Sequence, residues 1–132
     1  MSKRIKFAII GGGRIGQRHA KMIEVNKDAE LVALIDPDAS KKAEIESTFN
    51  VPFFLNAEEF YKSGIEVDVI NVCTPNYLHA SQSMEALRNA CHVVVEKPMA
   101  LSKKDAEQVI HLSLQVNKRV FCVMQKRYSP PS

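Results

Sequence analysis

Lys6-Phe7-Ala8-Ile9-Ile10-Gly11-Gly12-Gly13-Arg14-Ile15-Gly16-Gln17-Arg18-His19-Ala20 is the stretch that decides the fold. The apolar run Phe7–Ile10 stops at three glycines, and a helical pattern begins at Ile15. Gly11, Gly13 and Gly16 fall on G-x-G-x-x-G, the spacing of a dinucleotide-binding turn. Each position has a mechanical reason. Gly11 allows the tight exit from the strand, Gly13 lets bare backbone approach a pyrophosphate, and Gly16 lets the next helix pack closely on the strand. The free N–H groups and positive dipole end of that helix then face the diphosphate.

The glycine spacing alone is weak, so its context carries the argument: a strand before, a helix after, and an acidic residue about 20 residues on. Leu31–Ile35 reads as a second buried strand, and Asp36 closes it 20 positions after Gly16. Gly11 and Gly16 also have Walker-A spacing, but Gln17-Arg18 stands where a P-loop needs Lys and Ser or Thr. A plain hairpin would leave the helical pattern through Ile15, His19, Met22 and Ile23 unexplained.

Outward from there the chain alternates. Asp38 can cap a helix running to about Phe49, and Pro52–Leu55 is a short strand. Asn56 to Glu59 has the capping-box pattern of a brief helix holding Phe60. Val67–Cys73 is a fourth strand, stopping at Thr74-Pro75-Asn76 before a helix carrying Leu78, Ser81, Met84, Leu87 and Ala90. His92–Val95 is a fifth strand, ending at Glu96-Lys97-Pro98. A second capping box at Ser102 to Asp105 opens a helix, and Val120–Gln125 is a sixth strand.

Wholly apolar strands separated by helices mean a parallel sheet covered on both faces. The fold class is therefore α/β, a doubly wound parallel six-stranded sheet of order 3-2-1-4-5-6. Such sheets bind ligands beyond the carboxyl ends of their strands. The unusual polar clusters lie there: Gly11 to Gly16, Asp36, Thr74 to Asn76, Glu96 to Pro98, and Gln125 to Arg127. We read residues 1–125 as one dinucleotide-binding domain and residues 126–132, with a Pro-Pro pair, as the start of a linker.

Net charge is only +3 and no basic stripe is interleaved with aromatics, so nucleic acid is not an expected partner. Cys73, Cys91 and Cys122 are far apart without a C-x-x-C, which reads as reduced core thiols of a cytoplasmic protein. No metal site is expected. The apolar run after Lys3-Arg4 is too short for a signal peptide, and no run approaches the roughly 18 apolar residues of a membrane span.

Taken together, Gly11-x-Gly13-x-x-Gly16, then Val72-Cys73-Thr74-Pro75-Asn76-x-x-His79, then Glu96-Lys97-Pro98 resemble the Gfo/Idh/MocA oxidoreductases. The resemblance implies a Rossmann domain that binds NAD, with NADP the lesser alternative, and hydride transfer at a hydroxyl-bearing carbon of a sugar or polyol. By that resemblance Gly11, Gly13, Arg14 and Ile15 would line the diphosphate, and Asp36 would hold the adenosine ribose. Cys73, Thr74, Pro75, Asn76 and His79 would border the middle and nicotinamide half of the cofactor. Glu96 would approach the nicotinamide ribose, and Lys97 would reach the reacting carbon as the catalytic residue. Gln125 would also belong to the cofactor site. The ending Gln125 to Pro131 is similar to members acting on nucleotide-linked aminosugar uronic acids.

Family enzymes also carry a second α+β domain, which this sequence lacks, so a longer, homo-oligomeric enzyme is implied, inactive as this piece alone. A non-catalytic dinucleotide-sensing regulator or interaction subunit is the alternative, because fold and cofactor do not fix function. Lys97 argues for the enzyme, since a sensor needs no ammonium beside the nicotinamide. Lys97 lies between a buried strand and Pro98, where a cis bond is the expected geometry.

Overall fold

In the computed structural model, which describes residues 3–123, β1 (Ile5–Ile10) runs through the middle of the sheet. It is followed by α1 (Arg14–Glu24), β2 (Ala29–Ile35), α2 (Lys42–Phe49), β3 (Phe53–Phe54) and α3 (Ala57–Lys62). Then come β4 (Val69–Val72), α4 (His79–Arg88), β5 (His92–Glu96), α5 (Lys103–Val116) and β6 (Val120–Val123). The strands lie in the order β3-β2-β1-β4-β5-β6 and every pair is parallel. This is the doubly wound order expected from the sequence. The end of the sixth predicted strand, Gln125, and the linker at 126–132 lie outside the described residues.

Alternation along the strands sends successive side chains to opposite faces and gives two cores. Ala8, Ile10, Ile35, Ile70, Val72, Val93 and Val95 form one, with Phe60, Leu87 and Val109 from α3, α4 and α5. Ile9, Leu31 and Leu34 form the other, with Ala20 and Ile23 of α1 and Ile45 and Phe49 of α2. Phe60 is 1% exposed; burying a phenylalanine fully contributes about 1.5–3 kcal/mol, which justifies a helix as short as α3.

The expected caps form. Asn56 Oδ1 accepts the Glu59 N–H at 2.8 Å, and Ser102 Oγ accepts that of Asp105 at 3.1 Å. Asp38 caps a single tight turn, Ala39–Lys41, ahead of α2. Two helical faces differ from the reading above. On α1 the buried stripe is Gly16, Ala20 and Ile23, and Met22 is exposed. On α4 the buried residues are His79, Ser83, Ala86 and Leu87, while Ser81 and Ala90 face solvent. On α4 the cause is spacing: a strict three-residue interval drifts around a helix of 3.6 residues per turn, so Ser81 and Ala90 leave the face on which His79, Ser83, Ala86 and Leu87 are buried.

Hydrogen bonds run past the ends of the strands. The Gly11 N–H donates to Ile35 O (2.7 Å), Cys73 to Ile10 O (2.8 Å), Asp36 to Phe54 O (2.9 Å) and Lys97 to Val123 O (3.0 Å). The carboxyl edge of the sheet is thereby a rigid rim, and the polar clusters singled out in the sequence are mounted on it.

Candidate cofactor-binding site

Along that rim lies a cleft of about 910 Å³. Its floor is the glycine turn. Gly11 has φ +111°, a conformation open to glycine, and a Cβ there would stand 2.3 Å from the Cys73 carbonyl oxygen. A Cβ at Gly16 would stand 1.7 Å from Gly11 O, so α1 can reach this height above β1 only with glycine at both places. Gly13 differs: a Cβ there would meet nothing within 4 Å. The protein leaves the space over Gly13 empty, on the side where α1 begins.

α1 has no side-chain cap and no acidic residue in its first turn. Its first helical bond runs from the Gln17 N–H to Gly13 O at 2.9 Å, leaving the amides of Arg14, Ile15 and Gly16 without a helical acceptor. Three free donors, the positive end of the helix dipole and the Arg14 guanidinium thus serve one end of the cleft. A dinucleotide diphosphate fits this donor set and the vacant space over Gly13.

Asp36 is 6% exposed and lines the cleft beside the glycine turn. Its Oδ2 accepts the Gly12 N–H at 2.7 Å and its Oδ1 the Asp38 N–H at 2.8 Å. Lys41 Nζ stands 3.4 Å from Oδ2. Cys73, Thr74, Pro75 and Asn76 border the middle, where the Thr74 hydroxyl donates to Gln82 Oε1. Cys73 is a half-buried thiol whose pKa is pushed up to about 12, first by desolvation and then by the negative charge of Glu96. It is an inert wall, neither nucleophile nor acid. Nine of the residues expected from the sequence therefore meet in one cleft: Gly11, Gly13, Arg14, Ile15, Asp36, Cys73, Thr74, Pro75 and Asn76.

The others lie elsewhere. Gly16 is beneath the turn as packing. His79, expected along the cofactor, is 1% exposed behind the wall, with Nδ1 2.8 Å from Pro98 O and Nε2 2.8 Å from Thr74 O. His79 thus stands between the β4 exit and the β5 exit, with one ring nitrogen against a carbonyl oxygen of each. Glu96, expected at the nicotinamide ribose, is 8% exposed and turns under α1, with Oε2 3.5 Å from His19 Nε2. Asn71 Nδ2 stands 2.9 Å from His19 Nδ1, on the side of the ring away from Glu96.

Lys97 is exposed at the β5 exit, outside the lining of this cleft, and the Lys97–Pro98 peptide is cis. Gln125 lies outside the described residues.

Sequence reasoning missed the far wall, where Asn56 and Ala57 of the α3 start face Tyr77 and Leu78 ahead of α4. Asn56 had been read only as a local cap, and Leu78 as a buried helical position. A second groove, about 620 Å³, opens at the amino ends of β1, β4 and β5, between Phe7, Val94 and Phe121. It is at the opposite end of the sheet from the strand termini that bind ligands in this fold. Among the described residues no group of three or more His, Cys, Asp or Glu could hold a metal ion, and no helix is long and apolar enough to cross a membrane.

Residues 5–124 match the family described as "Oxidoreductase family, NAD-binding Rossmann fold". The chain belongs to the Gfo/Idh/MocA oxidoreductase family. It is 30% identical over 123 residues to glucose-6-phosphate 3-dehydrogenase of Bacillus subtilis, covering 93% of this chain and 34% of that protein. It is 28% identical over 118 residues to D-glucoside 3-dehydrogenase of Escherichia coli, covering 89% and 34%. Among solved structures, the WlbA dehydrogenase of Bordetella pertussis in complex with NADH and UDP-GlcNAcA superposes with a TM-score of 0.86. Identity there is 29%, and the match covers 92% of this chain and 37% of that one. The chain spans about a third of the length of the curated relatives it matches.

Proposed function

We propose that this chain holds NAD(H) for an oxidoreductase that moves hydride to or from a hydroxyl-bearing carbon of a sugar, polyol or sugar nucleotide. The single observation that carries the reading is the vacant space over Gly13 at the uncapped start of α1. The nicotinamide cofactor supplies the hydride chemistry; the protein binds, orients and excludes. The amides of Arg14, Ile15 and Gly16 bind the diphosphate, and Asp36 accepts from the adenosine ribose. A 2′-phosphate would meet the Asp36 carboxylate, which favours NAD over NADP. The WlbA relatives with NADH and UDP-GlcNAcA support both the cofactor and a sugar-nucleotide substrate.

Lys97 is the proposed catalytic residue, hydrogen-bonding the reacting hydroxyl or sharing its proton from the β5 exit. Residues 1–125 would be the cofactor domain and 126–132 the lead into a substrate domain. The working protein would be cytoplasmic and homo-oligomeric. By this reading the 132-residue chain alone binds NADH but turns over no sugar, lacking the groups that hold a substrate in position.

Calorimetric titration tests the reading directly. The folded chain should bind NADH, and Gly13→Val should abolish binding while the circular dichroism spectrum stays native, because nothing in the protein occupies the space the side chain enters. Unchanged NADH affinity in Gly13→Val would remove the diphosphate from this turn. In a form that turns over, Lys97→Met should cut the rate by about a hundredfold or more at near-normal NADH affinity.

A further inference from the structure

An ionised carboxylate offers two oxygens and about four lone-pair positions. At Asp36 three of these are taken within the protein: the Gly12 N–H and Lys41 Nζ on Oδ2, and the Asp38 N–H on Oδ1. One acceptor position remains, while an adenosine ribose presents two hydroxyls. The group beside the occupied oxygen is the Lys41 ammonium.

We infer that Lys41, rather than Asp36, is the adjustable determinant of NADH against NADPH preference; this rests on the reading of the cleft as the dinucleotide site. Asp36 is not free to be tuned. Its 2.7 Å bond to Gly12 spans 24 residues and joins the end of β2 to the glycine turn. A Cβ at Gly12 would already lie 3.2 Å from Asp36 Oδ2 and 2.8 Å from Ile45 Cδ1, so the turn has little room to shift on that side. Asparagine at 36 would turn an amide N–H₂ toward a backbone N–H or give up the Asp38 bond.

Lys41 is the opposite case. Its side chain is 38% exposed and closes the short turn Ala39–Lys41, whose start is fixed by Asp38 accepting the Ser40 N–H and hydroxyl. A part-exposed pair of this kind is weak, and lysine is a point charge on a flexible stem. Leaving Asp36 for a 2′-phosphate costs it little. Lys41 therefore offsets the repulsion that Asp36 alone would impose on NADPH, and it makes the site more permissive than the carboxylate suggests.

Calorimetry of NADH and NADPH on the 132-residue chain and two variants tests this. Lys41→Met should weaken NADPH on the order of tenfold and leave NADH within about threefold, with the change in ratio shrinking at high salt. Asp36→Asn should weaken NADH by about tenfold or more without improving NADPH, since the turn loses its tie. The inference is overturned if Lys41→Met leaves the NADH-to-NADPH ratio unchanged, or if Asp36→Asn keeps NADH and gains NADPH. Should Asp36→Asn fail to fold, the Lys41→Met arm decides alone. A wild-type chain that binds neither nucleotide would overturn the dinucleotide reading and this inference together; NADH binding with an unmoved ratio would overturn only the inference.

Discussion

Asp36 and Glu96 invite comparison: each is an acid where a central strand ends, each is under a tenth exposed, and each was expected to touch the cofactor. Asp36 receives two backbone N–H groups at 2.7 and 2.8 Å and still borders the cleft. Among the described residues, the Glu96 carboxylate has one polar side-chain partner, the His19 ring at 3.5 Å beneath α1. Nearby, Asn71 Oδ1 is buried without a partner among the described residues. One strand end is held chiefly by backbone donors, with the Lys41 ammonium beside them, while among the described residues the other is held by a single side chain. A buried acid at a strand terminus is thus a tie in one place and a loosely held charge in the other, although the sequence pattern is the same.

The sharpest way to break the comparison is at the organised end. Gly16→Ala places a methyl 1.7 Å from Gly11 O, a backbone atom that cannot rotate away. Helix and strand must separate, and urea unfolding should show a loss of about 3 kcal/mol, the upper range for overpacking. Gly13→Ala, with open space around it, should stay within about 0.5 kcal/mol of wild type. Equal losses at the two glycines would mean that the turn is not held against β1 as described.

A smaller effect is expected at the loosely held end. His19→Ala leaves the Glu96 carboxylate buried without a partner among the described residues, at a cost of about 1–3 kcal/mol. Glu96→Gln keeps a group that can bond the imidazole without a charge to desolvate, so it should cost less than His19→Ala. The double variant should recover part of the His19→Ala loss, and a strictly additive double-mutant cycle in the unfolding free energies would show that the two side chains do not interact.

Why the sequence disclosed one end better than the other follows from what each depends on. The glycine spacing, the parallel order and the strand-end clustering are properties of backbone and topology, and such properties leave marks at fixed intervals. The direction of a single side chain leaves none that spacing alone reveals. For Glu96 the pleat held the answer: Val93 and Val95 point into the core under α4 and α5, so Glu96 must point to the α1 face. His79 was hidden because α4 was read at three-residue intervals; it opens the regular stripe His79, Ser83, Ala86 and Leu87. The far wall at Asn56 and Tyr77 comes from two separate αβ units meeting, and no local pattern encodes that meeting.

Cys73 gives the finest probe, because it lies between the two ends and senses one of them. Burial chiefly, and the Glu96 charge secondarily, push its pKa up to about 12, and burial pushes Cys91 up to about 11. A raised folded-state pKa favours the protonated thiol in the fold. Its contribution to stability is whole below the ordinary value of 9.0 and is lost as pH climbs through 9 toward 12. The melting temperature should therefore be flat from neutral pH to about 9 and fall above it. At pH 8 iodoacetamide should modify the exposed Cys122 at least about tenfold faster than the half-buried Cys73 or the buried Cys91, since only an accessible thiolate reacts. Glu96→Gln removes the secondary cause alone, so the Cys73 pKa should move down slightly while staying well above 9.0, and its labelling at pH 9 should quicken modestly. A Cys73 that labels as fast as Cys122 would mean that the β4 exit is not closed. A Cys73 indifferent to Glu96→Gln would mean that the charge lies further from this thiol than the fold places it, and that the loosely held acid is turned elsewhere.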